Sequence, residues 1–163
     1  MKRIPLLVVA LLVLASLTPA AATAAVAPPD AAESLQARVD AVMEANPRGV
    51  QISDDSIAWE DGTIIMTLEG GSNQKTIGTC SNGSYFAWAA LAYTGSKLSF
   101  TACSLGGTSS SLAALGTNAR SLANARSSGT VKVRNGGTLV WNMAASTGIP
   151  SNTFTVTTMV CFS

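Results

Sequence analysis

Two pairs of adjacent carboxylates, Asp54–Asp55 and Glu60–Asp61, and three cysteines, Cys80, Cys103 and Cys161, are the groups in this 163-residue chain whose types and spacing bear on chemistry. Paired carboxylates serve general acid–base catalysis when a cleft sets their pKa values apart. Here Glu60-Asp61 runs straight into Gly62, as at a hairpin tip, and Asp54-Asp55 sits between two serines, as in a turn. Neither position reads as a cleft. The cysteines form no C-x-x-C pair, which argues against redox catalysis and thiolate zinc sites. Histidine is absent from the chain. That removes Ser-His and Cys-His nucleophiles, histidine zinc sites and the usual near-neutral base. A nucleophilic Cys161 has no base to activate it. The expectation is a protein that is not an enzyme and holds no cofactor or metal.

The charges are split along the chain. All nine acidic residues lie between Asp30 and Glu69. From Ala25 to Glu69 they face only Arg38 and Arg48, a formal −7. From Gly70 to Ser163 there are six cations (Lys75, Lys97, Arg120, Arg126, Lys132 and Arg134) and no acid, a formal +6. A basic half suits an anionic polymer or an acidic enzyme cleft. Its charge is not dense and carries no nucleic-acid-binding motif, so no nucleic-acid partner is expected.

The elements that must position these groups begin after a targeting segment. Lys2 and Arg3 precede an apolar run from Ile4 to Leu17, and small residues follow, with cleavage expected after Ala24. The run is shorter than the ~20 apolar residues of a membrane span. Residues 1–24 therefore read as a signal peptide, and the processed chain as secreted, extracellular and without a membrane span. Export makes a disulfide available. Cys80 and Cys103 bracket the first hairpin of the basic half and are expected to close its base, contributing about 3 kcal/mol. Cys161 is then unpaired or intermolecular. The rival pairing joins Cys80 to Cys161.

Residues 25–69 read as an acidic helix-hairpin leader. Leu35, Val39, Val42 and Met43 recur at helical spacing over about 31–45, with Asp30 as N-cap, Glu33 where a capping box wants it, and Pro47 beyond the end. Asp61-Gly62 predicts a two-residue turn that sets Trp59 opposite Ile64 and Ile57 opposite Met66. The apolar face so formed needs a cover, either the helix or the basic half. Residues 70–78, polar and glycine-rich, read as a linker. Residues 79–163 read as short strands at 84–90, 96–102, 120–125, 130–135, 138–143 and 153–162, with one helical turn in Ser110–Ala119.

The stretch Trp88-Ala-Ala-Leu-Ala-Tyr93-Thr-Gly95 has the order aromatic, four residues, aromatic, any residue, glycine. This resembles the βγ-crystallin Greek-key signature. The resemblance implies that Trp88 and Tyr93 stack across a folded-back hairpin, that Gly95 takes a positive φ at its corner, and that Ser121 ties the hairpin down. The wider pattern of Cys80, Gly83, Tyr85, Phe86, Trp88, Tyr93, Gly95, Leu98, Phe100 and Cys103 looks like the exported actinobacterial peptidase-inhibitor family typified by the Streptomyces metalloproteinase inhibitor. Members often carry a cysteine where this chain has Ala87, and residues 131–141 offer no second aromatic-x-glycine signature.

The fold so implied is mostly β: a βγ-crystallin-like Greek-key sandwich with the N-terminal helix and hairpin as an appendage. The activity so implied is inhibition of a secreted peptidase, a metallopeptidase first. The inhibitory loop is not identified by the resemblance, and residues 104–116 and 142–152 are the candidates. The alternative is a non-catalytic extracellular binding or structural module for envelope, glycan or protein. Many βγ-crystallins bind calcium near the fourth strand. Here only Asn118 and Ser121 fit that run, with Arg120 between them and no carboxylate, so no calcium site is expected.

Overall fold

The computed structural model of the chain describes residues 31–69 and 82–163. The signal segment with its cleavage point, Asp30, the 70–78 linker and Cys80 lie outside the described residues. The stripe of Leu35, Val39, Val42 and Met43 forms one face of α1 (Ala31–Ala45). Asn46 ends the helix, its backbone N–H and its Nδ2 both donating to the Val42 carbonyl at 2.9 and 3.0 Å. Pro47 then prevents another turn. Val39 is fully buried, and Leu35, Val42 and Met43 lie partly buried against the same core. The stripe is therefore a packing surface.

The strands are β1 (Val50–Ser53), β2 (Ser56–Trp59), β3 (Ile64–Thr67), β4 (Tyr85–Trp88), β5 (Lys97–Phe100) and β6 (Thr108–Ser111), then β7 (Ser121–Asn124), β8 (Thr130–Asn135), β9 (Thr138–Ala144), β10 (Thr147–Ile149) and β11 (Thr158–Phe162). They make two antiparallel sheets. One has seven strands in the order β1-β2-β3-β5-β4-β7-β10, and the other four in the order β6-β11-β8-β9. The chain is thus mostly β. Two strands leave their sequence neighbours. β6 lies in the small sheet although β4, β5 and β7 lie in the large one, and β10 lies in the large sheet although β8, β9 and β11 lie in the small one.

The β2–β3 hairpin takes the expected register, with Ile57 opposite Met66 and Trp59 opposite Ile64. It is not an appendage. β3 pairs with β5 along its length, Met66 facing Leu98 and Ile64 facing Phe100. The physical reason is the apolar face of the hairpin, since a lone hairpin is barely stable in water and extending a larger sheet buries that face. The large sheet therefore runs across the boundary expected at 70–78. Arg38 braces the same joint from the helix, donating to the Glu69 carbonyl and the Ser96 hydroxyl.

One core lies between these elements. Ile57, Met66, Tyr85, Leu98, Phe100 and Leu122 come to it from the large sheet, and Val131, Val133, Met143, Met159 and Cys161 from the small one. A second cluster of Phe86, Trp88 and Ala123 covers the other face of the large sheet, because side chains alternate along β4 and β7. Tyr85 brings a hydroxyl into the core and donates to the Ala102 carbonyl at 3.2 Å, with the Ser110 hydroxyl 2.8 Å away. Burial raises its phenol pKa, partly offset by the Ser110 hydrogen bond and the Arg126 charge.

The strand expected over 153–162 begins only at Thr158. Before it, side-chain amides take the backbone groups that a ladder would use. Asn118 accepts from the Val156 N–H and donates to the Phe154 carbonyl, and Asn152 accepts from the Phe154 N–H.

Candidate functional site

The residues singled out for a folded corner come together. After β4 the chain turns through Leu91–Tyr93, where Ala92 and Tyr93 both hold positive φ, 53° and 62°. Trp88 and Tyr93 meet edge to face with ring centroids 5.2 Å apart. Gly95 has φ +81°, and a Cβ there would stand 3.0 Å from the Ala90 nitrogen and Cβ, so a side chain is excluded both by conformation and by space. Ser121, at the start of β7 and fully buried, accepts from the Tyr93 N–H at 3.0 Å and donates to the Ala90 carbonyl at 2.7 Å. One hydroxyl thus satisfies a donor and an acceptor on either side of the strained turn.

Replacing Ser121 by Ala removes both bonds from the part-buried backbone of the turn. The expected loss is about 1–3 kcal/mol. A urea melt of Ser121→Ala against the parent checks it, and a midpoint shift within error would mean that the corner holds without the tie.

The cysteines give a different result from the one expected. Cys103 pairs with Cys161, S–S 2.10 Å and Cα–Cα 4.9 Å, and not with Cys80. The cause is strand pairing. After β5 the chain passes to the small sheet, β6 lines up along β11 with Thr108 opposite Cys161, and Ser104 bridges Phe162 in parallel. Cys103, just upstream, is thereby set beside Cys161.

The same pairing shapes the first candidate loop. Ser104 to Gly107 form a tight turn between the disulfide and β6. The Ser104 carbonyl accepts from the N–H groups of Gly107 and Ser163, both at 3.1 Å, and Thr108 Oγ1 donates to Ser104 Oγ at 3.2 Å. Leu105, at the tip, is 87% exposed, more than any other large apolar side chain among the described residues. Gly107 has φ +87°, and a Cβ there would come within 2.6 Å of the Phe162 ring, so this residue packs directly against that ring. Gly106 has open space around it.

No family model, curated protein or solved structure matches the chain.

The second candidate loop, 142–152, is largely taken up by the fold. It contains β10, which pairs with β7, its Pro150 carbonyl accepts from the Ala92 N–H at 2.8 Å, and Asn152 is buried with its Nδ2 donating to the Ala119 carbonyl at 2.7 Å. The carboxylate pairs stand on turns, as read from the sequence. Asp55 accepts from the Ser53 and Ser56 hydroxyls, both at 2.8 Å, and Glu60 and Asp61 are exposed at the β2–β3 tip. That tip helps to line a cavity of about 810 Å³ together with Pro47, Val50, Ile52, Trp59 and Ala113. Asn118 and Ser121, the two residues fitting a calcium run, spend their side-chain oxygens on backbone partners.

Sequence reasoning missed the prominence of Leu105. An exposed leucine and a core leucine read alike in a sequence, and only the flanking Gly106-Gly107 hinted at a turn.

Proposed function

We propose that this protein is an exported, non-catalytic peptidase inhibitor of βγ-crystallin-like fold, acting on a metallopeptidase. The observation that carries the reading is the corner built from Trp88, Tyr93, Gly95 and Ser121, whose positive φ and hydroxyl tie are those the βγ-crystallin signature implies, with the two rings in contact edge to face. The connectivity supports it as well. Strands β4–β7 and β8–β11 fit two Greek-key motifs, each lending its third strand, β6 or β10, to the sheet of the other. The second motif lacks the aromatic-x-glycine signature and turns instead through Asn135-Gly136. A Cys103–Cys161 disulfide fits an oxidising compartment.

The step from fold to inhibition rests on the family resemblance, since one fold hosts many functions. An inhibitor needs no catalytic group. It needs a rigid segment whose ordering is complete before binding, so that little conformational entropy is lost in the complex.

Titration of the purified protein against a thermolysin-type metallopeptidase and a subtilisin-type serine peptidase tests the reading. Stoichiometric inhibition of the metallopeptidase is the expected result. Full activity of both enzymes at micromolar excess, with the chain left intact, would replace the inhibitor by an extracellular binding or structural module.

A further inference from the structure

We propose that the Ser104–Gly107 turn is the inhibitory loop, and that Leu105 enters an apolar specificity pocket of the target peptidase. The inference deepens the inhibitor reading and rests on it. Three observations carry it together. Leu105 is an aliphatic side chain 87% exposed, so the fold gains almost nothing from its apolar character. Both ends of its turn are held, upstream by the Cys103–Cys161 disulfide and downstream by the β6–β11 ladder, with the Ser104 carbonyl bonded to Gly107 and Ser163. Its neighbours are small: Ser104 before it, Gly106 and Gly107 after it.

These features are what a peptidase cleft selects. A cleft draws in backbone, and bulky flanking side chains would hold the two backbones apart. Gly106, with nothing around it, leaves that approach clear. A turn whose backbone is tethered before binding presents its apolar side chain with less ordering cost than a loose loop would. The other exposed apolar residues lack this shape. Leu139 and Trp141 lie along β9, and Val50 and Ile52 along β1, edge strands of the two sheets and not turns. Leu91 is on the folded corner, whose next residue is bonded to Pro150.

The disulfide adds a second property. Hydrolysis within the turn breaks one C–N bond and adds one water, its hydroxyl to the carbonyl carbon and its hydrogen to the new amine. Cys103 precedes the cut and Cys161 follows it, so the two pieces stay joined. The new amine remains beside the carbonyl it left, which slows loss of the cleaved product and favours resealing.

The test compares wild type, Leu105→Gly and, as a control at an exposed edge position, Leu139→Asn against the same two peptidases. The expected result is that Leu105→Gly raises Ki by roughly 10- to 100-fold, the range for burying a leucine side chain. Leu139→Asn leaves Ki within about twofold, and both variants keep the parental melting temperature to within about 3 °C, the shift that about 0.5 kcal/mol produces. Wild-type inhibition with an unchanged Ki for Leu105→Gly overturns the loop assignment and leaves the inhibitor reading standing. Absence of inhibition by wild type overturns both.

A readout on the unmodified protein does not depend on the variants folding. After long incubation with the inhibited enzyme, the cut chain is expected to gain the mass of one water and to separate into two pieces only on reduction, with the new ends beside Leu105. Ends elsewhere overturn the assignment. A cut before Leu105 or after it tells which side of the scissile bond the pocket recognises.

Discussion

Replacing Cys103 and Cys161 together by Ala is expected to lower stability by about 4 kcal/mol, the chain-entropy value for a loop of this length. The two cysteines are 58 residues apart, so the link removes much freedom from the unfolded chain. Cys161 is also fully buried in the core between Val131 and the β6 strand, so the double variant adds a small packing loss. For a domain whose total stability is about 5–15 kcal/mol, this is a large share. Urea melts of the parent and the double variant, followed by circular dichroism, measure it. A loss below about 1 kcal/mol would mean that the unfolded chain is already restrained there by other contacts.

The second large effect belongs to Trp88. Trp88→Ala is expected to cost about 3–5 kcal/mol, the usual range for removing a buried aromatic side chain. Its indole is 1% exposed and touches Phe86 at 5.5 Å and Tyr93 at 5.2 Å between centroids. With Phe86 and Ala123 it makes up the buried cluster on the outer face of the large sheet, and its indole is the largest side chain there, so nothing of like size is at hand to fill the space. Trp88→Phe keeps part of the ring contact and is expected to fall between the two. Equal losses for Ala and Phe would show that the corner depends on the indole specifically and not on filled volume.

Much of this architecture was legible because local chemistry decided it. The stripe from Leu35 to Met43 and the proline after it mark α1 from Ala31 to Ala45. Asp61-Gly62 sets the hairpin register because both residues accept positive φ, as they do here at 54° and 84°. Trp88, Tyr93, Gly95 and Ser121 could be read as one corner through their resemblance to the βγ-crystallin signature. What was not legible depends on contacts distant in sequence. β6 reads Thr-Ser-Ser-Ser, with only Ser110 buried, so no apolar alternation marks it as a strand. β10 is three residues long and holds its place through β7. Because β6 was invisible, so was its pairing with β11, and with it the partner of Cys103. The site follows the same division. Its frame was legible, and the prominence of Leu105 was not, because that depends on the missed pairing.

The strand exchange also sets an order of events during folding. β6 finds its partner in β11, and Cys103 finds Cys161, 58 positions further on, only after the chain between them is present. β7 likewise waits for β10 to cover its outer edge. Neither sheet is complete while the other is unfinished, so the two halves of the β region depend on each other for their final pairing. Pairings this distant make for folding in milliseconds to seconds, without an early, separately stable half. Until then the turn bearing Leu105 has neither of its tethers. Formation of the disulfide can therefore be used as a clock for the appearance of the finished loop.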